Sequence, residues 1–202
     1  MNRLLLFMAM LAAPMLPTAA ANDFKLEEGY ASLFNGKDLT GWKYGDVPPK
    51  MKPPTEVLDG KTESSDKRFE AKDCFIVANI GKGPNMAIYT AKEFNKDFHL
   101  KLDFRASAEN KKNNSGVFIR GPQLQLDAVT EGGLTGVFKN LKNFKPGDWN
   151  EIDITVKGTE AACKCNGEMI GRTMKIPATG TIGLQAEIGK FEFRRMRIKE
   201  LP

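Results

Sequence analysis

The residues best placed for chemistry lie between positions 97 and 127, in DFHLKLDFRASAENKKNNSGVFIRGPQLQLD. His99, Lys101, Asp103 and Arg105 alternate with Phe98, Leu100, Leu102 and Phe104, and Gln123, Gln125 and Asp127 alternate with Leu124 and Leu126. Alternation of period two sends each set to one side of a strand. The expectation is an oily side on a core and a polar side carrying amides, carboxylates and cations together. Amides offer donors and acceptors at once, and carboxylates accept from paired hydroxyls, so this mixture suits a sugar. Later in the chain, Gln185 and Glu187 alternate with Leu184 and Ala186, and Arg120 ends the NSGVFIR run. We therefore expect Arg120, Gln125, Asp127, Gln185 and Glu187 to line one pocket. Gln123, Lys101 and Asp103 join them as binding groups. A proton-transfer group would be drawn from Asp127, Glu187 and His99. The plain alternative is solvated strand surface, with Asp103 paired to Lys101 or Arg105.

These residues need strands to hold them. Candidate strands run over Ala31–Asn35, Cys74–Asn79, Ala87–Thr90, Phe98–Ala106, Ser115–Arg120, Gln123–Asp127, Gly136–Phe138, Glu151–Lys157, Ala161–Cys165, Gly180–Glu187 and Lys190–Lys199. Turn residues separate them: Asn35-Gly36, Gly81-Lys82-Gly83, Asn113-Asn114, Pro146-Gly147-Asp148 and Asn166-Gly167. No segment sustains a helical period. Many short strands with 19 Gly and 11 Pro as punctuation predict an all-β jelly-roll sandwich. The CNGEM stretch reads as a tight hairpin. Tyr44 to Lys72, rich in proline and charge, reads as a long surface loop, a place where function often sits. Trp42 and Trp149 read as packing residues at element ends, with sugar stacking as the alternative.

The first 21 residues read as a secretory leader: Arg3, an apolar run from Leu4 to Leu16, then Ala19-Ala20-Ala21. The expected mature chain, 22–202, is one domain, exported to the periplasm or beyond and not inserted in a membrane. Its basic residues are scattered, which excludes a nucleic-acid stripe. A single His among 202 residues and no Cys-x-x-Cys argue against a metal site, and nothing calls for a cofactor. Cys163 and Cys165 share a strand face; either could pair with Cys74, or all three could be small core residues.

Taken together, GYASLFNGKDLTGWK at 29–43, the Asp97–Arg105 strand, NSGVFIRG at 114–121, PGDWNEIDITVKG at 146–158, CNGEMIG and the closing GTIGLQAEIGKFEFRRMRIKEL resemble the 3-keto-disaccharide hydrolase domain family. The resemblance spans essentially the whole mature chain, in order. It implies a concanavalin A-like sandwich of two antiparallel sheets with ligand on a concave face, and exported proteins that act on glycosides oxidised at C3. A C3 ketone acidifies the C2 proton. A base removes it, the enolate expels the C1 oxygen, and water then adds. The route needs a base, an enolate stabiliser and an acid, not the paired carboxylates of an ordinary glycosidase. Relatives often carry Glu-x-Gln where this chain has Gln123-Leu124-Gln125, and an amide cannot serve as a general base. Two readings stand: a 3-keto-glycoside hydrolase or lyase, and a lectin-like module that binds saccharide without chemistry.

Overall fold

The computed structural model describes residues 24–47, 56–81, 84–108, 112–130, 136–171 and 173–202. The expected leader lies outside the described residues. In chain order the strands are β1 (Ala31–Ser32), β2 (Trp42–Asp46), β3 (Glu56–Val57), β4 (Phe69–Lys72), β5 (Phe75–Ala78), β6 (Met86–Thr90), β7 (Phe98–Ala106), β8 (Lys112–Ile119), β9 (Gln123–Thr130), β10 (Asn150–Lys157), β11 (Glu160–Cys165), β12 (Glu168–Met169), β13 (Met174–Lys175), β14 (Ile182–Ala186) and β15 (Phe191–Glu200).

They form two antiparallel sheets. The larger runs β12-β11-β10-β7-β15-β5-β4, with β1 added to β15 and β13 to β11; the smaller runs β3-β2-β6-β14-β8-β9. Alternation decides which side of each strand turns inward. Leu100, Leu102 and Phe104 of β7 meet Ile88, Val117, Leu124 and Leu184 of the smaller sheet in one buried core. Phe104 packs on Phe138, Phe144 and Phe191 at centroid separations of 5.8, 6.2 and 6.4 Å. Each fully buried side chain of this kind stabilises by about 1.5–3 kcal/mol. The architecture is the expected all-β jelly-roll sandwich. Asn166 (φ 47°) and Gly167 (φ 84°) turn β11 into β12, the two left-handed residues that a two-residue hairpin turn demands.

Two local expectations are corrected. Gly136–Phe138 is not a strand but a single 3-10 turn. Gly136 has φ 56°, which leaves the extended region, and Phe138 drops into the core. The Tyr44–Lys72 stretch is no featureless loop. β2 pairs with β6 along its whole length and β4 with β5, because Trp42 and Tyr44 alternate inward and Phe69 is fully buried. Residues 48–55 lie outside the described residues. Between β3 and β4, the Tyr44 hydroxyl donates to Asp66, which is paired with Arg68 at 2.9 Å. Of the two readings open for the cysteines, the structure shows free thiols: Cys163 and Cys165 are small core residues, and Cys74 is exposed. Burial pushes both buried thiols up to about 12.

Candidate functional site on the outer face of the smaller sheet

The register of the smaller sheet builds its outer face row by row. One row runs Lys43, Tyr89, Gly183, Phe118, Gln123; beyond it stand Gly45, Ala87 and Gln185 as one row on β2, β6 and β14, and Gly116 opposite Gln125 on β8 and β9. Small residues thus form a trough floor on four neighbouring strands, and amides stand along it. The Gln123 amide donates to the Gln185 side-chain oxygen and, at 3.3 Å, to the Ser115 carbonyl. The Gln125 amide donates to the Asn114 side-chain oxygen. Gly116 is required here: a Cβ on it would fall 1.8 Å from Gln123 Nε2. A Cβ on Gly183 would fall 2.7 Å from the Tyr89 ring. Tyr89 and Phe118 pack at 5.6 Å, and the Tyr89 hydroxyl donates to the Asp46 carbonyl at 3.0 Å. Burial raises the Tyr89 pKa, so the phenol stays a donor.

Two irregularities bring the carboxylates to one end of this trough. On the β9 side, Ser115 pairs with Leu126 but Asn113 pairs with Val129, so Asp127 and Ala128 together oppose Asn114. On the β14 side, Val117 pairs with Leu184 but Asn114 bridges Ile188, which again leaves one extra residue beside Glu187. Bulges re-aim side chains next to sites. Asn114 is thereby flanked by a carboxylate on each neighbouring strand, and the two strands are about 10 Å apart, two strand spacings. Asp127 lies against Gly136, whose added Cβ would fall 2.2 Å from Asp127 Oδ1. Glu187 is half-buried and makes no hydrogen bond or ion pair to the described residues.

The remaining candidates lie elsewhere. β7 belongs to the larger sheet, so the expectation of one shared polar face is corrected: His99, Lys101 and Asp103 point outward on the opposite side of the sandwich. Asp103 is held by Arg194 at 3.0 Å and Arg195 at 3.5 Å, and Lys101 lies 3.7 Å from Asp153. His99 stands between Thr155 and Lys199. Arg105 and Arg194 lie 4.7 and 3.8 Å from the Trp149 ring centroid, and the Phe75 ring lies 5.2 Å from it, so Trp149 is a packing residue. Trp42 is core, its Nε1 donating to the Leu33 carbonyl at 2.9 Å. Arg120, only 3 % exposed, turns away from the trough. Its left-handed backbone (φ 52°) sends the guanidinium over the Phe98 ring at 5.2 Å. There it donates to the carbonyls of Gly158 at 3.0 Å, Pro177 at 3.5 Å and Lys96. Burial lowers its pKa. Of the expected pocket, the Gln123 and Gln185 side chains meet, Gln125 stands beside them on β9, and the register sets Asp127 and Glu187 on the two strands flanking Asn114. Sequence reasoning missed Asn114, Lys43, Tyr89 and Phe118; Tyr89 and Phe118 fell on the expected strands Ala87–Thr90 and Ser115–Arg120, whereas Asn114 fell in an expected turn and Lys43 outside any expected strand.

A family model for a 3-keto-alpha-glucoside-1,2-lyase-like domain matches residues 29–199. The chain belongs to that family. That membership makes it a carbohydrate-active protein. Similar solved structures carry the same fold. One is a putative glycosyl hydrolase from Parabacteroides distasonis ATCC 8503, 23% identical over 87% of this chain and 95% of that one, with TM-score 0.63. Another is the carbohydrate binding module CBM66 from Bacillus subtilis, 10% identical over 80% and 96%, TM-score 0.51. A third is an alginate lyase from Corynebacterium sp., 13% identical over 81% and 95%, TM-score 0.50. No curated protein matches the chain. Among the described residues no group of three or more His, Cys, Asp or Glu could hold a metal, and no helix is long and apolar enough to cross a membrane.

Proposed function

We propose that this protein cleaves 3-keto-glycosides by elimination across C1–C2, on the outer face of the smaller sheet. The carrying observation is the convergence of Glu187 and Asp127 on Asn114 beside a glycine-floored trough lined with amides. Glu187, with no bond to the described residues, takes the C2 proton. Electrons from the C2–H bond form the enolate of the C3 ketone, whose oxygen accepts from the Asn114, Gln125 and Gln185 amides. The enolate re-forms its ketone as the C1–O bond breaks, and Asp127 supplies the proton to the departing oxygen. The product is a 2-hydroxy-3-keto-glycal, and water added across C1=C2 gives the free 3-keto sugar. Gln123 takes no part in proton transfer and binds a hydroxyl. We further propose that the protein is exported after loss of residues 1–21.

The test is aglycone release from 3-keto-glucosides and from their unoxidised parents. Release from the keto sugars alone, lost in Glu187→Gln, supports the reading. A specific observation favours a second reading, a lectin-like binder: the amides already pair with each other, Gln123 with Gln185 and Gln125 with Asn114. Saturable binding with no release from either sugar set would establish that alternative.

A further inference from the structure

On the larger sheet, a cavity of about 270 Å³ opens where β7 ends and β15 begins. Arg105, Ser107, Lys190 and Glu192 supply its polar lining, and Ala106, Ala108 and Gly147 its small walls. The register fixes this group, since Arg105 lies directly opposite Glu192 and Ala106 opposite Phe191. Arg105 donates through Nε at 2.8 Å and through Nη2 to Glu192 Oε2, while Lys190 Nζ lies 3.4 Å from Glu192 Oε1. Two of the five guanidinium donors are thereby used, and the others make no bond to the described residues. One carboxylate faces two cations, so the cavity holds one positive charge in excess. Arg105 is also pinned by its stack on Trp149, which fixes its fork in place before any ligand arrives.

We propose that this cavity is a second ligand site for a monoanionic sugar acid, a single uronate-type ring. The volume lies just under the range of pockets for drug-sized ligands and suits one ring. The excess charge balances one carboxylate, whereas a doubly charged phosphate would leave negative charge facing Glu192. The ring's hydroxyls meet Glu192 as acceptor and Arg105 as donor, and its carbon face meets Ala106, Ala108 and Gly147.

The experiment is calorimetric titration of the whole protein with glucuronate, glucose, acetate and inorganic phosphate. Glucuronate should saturate, bind at least tenfold more tightly than the other three, and weaken with added salt. Lys190→Glu should weaken glucuronate at least tenfold, Lys190→Gln less so, with melting temperature and keto-glycoside turnover unchanged, because the Lys190 side chain is half-exposed and its ammonium is directed at Glu192 of the larger sheet. Equal binding of acetate or phosphate, absence of glucuronate binding, or glucuronate binding that survives Lys190→Glu and is lost in Gln185→Ala would each overturn the assignment.

Discussion

Arg120 offers the sharpest separation between a structural and a catalytic role, because its residue type invited the catalytic one. Replacing it with Met keeps the volume and removes the charge. Two well-formed charge-assisted hydrogen bonds, to Gly158 and Lys96, are worth about 1.5–3 kcal/mol each. The contact with the Phe98 ring adds about 0.5–2 kcal/mol, and the bond to Pro177 at 3.5 Å adds little. Packing retained by Met offsets part of this, so a net loss of about 3–5 kcal/mol follows. For a domain of this size, about 2–4 °C per kcal/mol puts the drop in Tm near 6–20 °C. Urea unfolding should show the same loss in midpoint. Turnover of 3-keto-glucosides, measured well below the lowered Tm, should stay within a few-fold of the parent. An unchanged Tm with turnover abolished would refute this reasoning and return Arg120 to the site.

Other outcomes follow from the same contacts. Gly116→Ala pushes a Cβ against Gln123 Nε2 and should weaken saccharide binding about tenfold by titration, while costing about 1–3 kcal/mol of stability, since the Gln123 side chain can swing aside. The Arg197 side-chain hydrogen bond holds the Glu27 carboxyl below its ordinary value. Stability from that contact is full above the ordinary carboxylate range and is lost as pH falls through the depressed value. Glu27→Gln should therefore be less stable than the parent at neutral pH, with the gap in urea midpoint closing as pH drops below about 4. A thiol reagent should label Cys74 in the folded protein, and Cys163 and Cys165 only on unfolding; mass spectrometry counts the adducts.

Much of this architecture is legible because a half-buried strand writes its burial into the chain with period two. The runs Phe98–Ala106, Glu151–Lys157 and Lys190–Lys199 do so, and each became a strand. What alternation cannot say is which sheet a strand joins. β7 and β9 carry equally polar outer sides, yet they face opposite solvents, because pairing is set by partners far along the chain. That is why His99, Lys101 and Asp103 parted from Gln123, Gln125 and Asp127. Arg120 was misplaced for a more local reason: one left-handed residue at the end of β8 reverses the side a period-two reading assigns. Lys43 borders the Tyr44–Lys72 stretch, whose prolines and charges mask the inward alternation of Trp42 and Tyr44. The convergence on Asn114 depends on two bulges, and single-residue insertions in a ladder leave no mark in the sequence.

In the proposed reaction Glu187 removes the C2 proton. Its most direct test is the isotope effect on aglycone release from a 3-keto-glucoside deuterated at C2, measured for the parent and for Glu187→Gln. C2 deuterium should clearly slow the parent, and release should fall by at least a hundredfold in Glu187→Gln with the fold and Tm retained. Release that ignores C2 deuterium in single-turnover conditions, or that proceeds undiminished in Glu187→Gln, would contradict it.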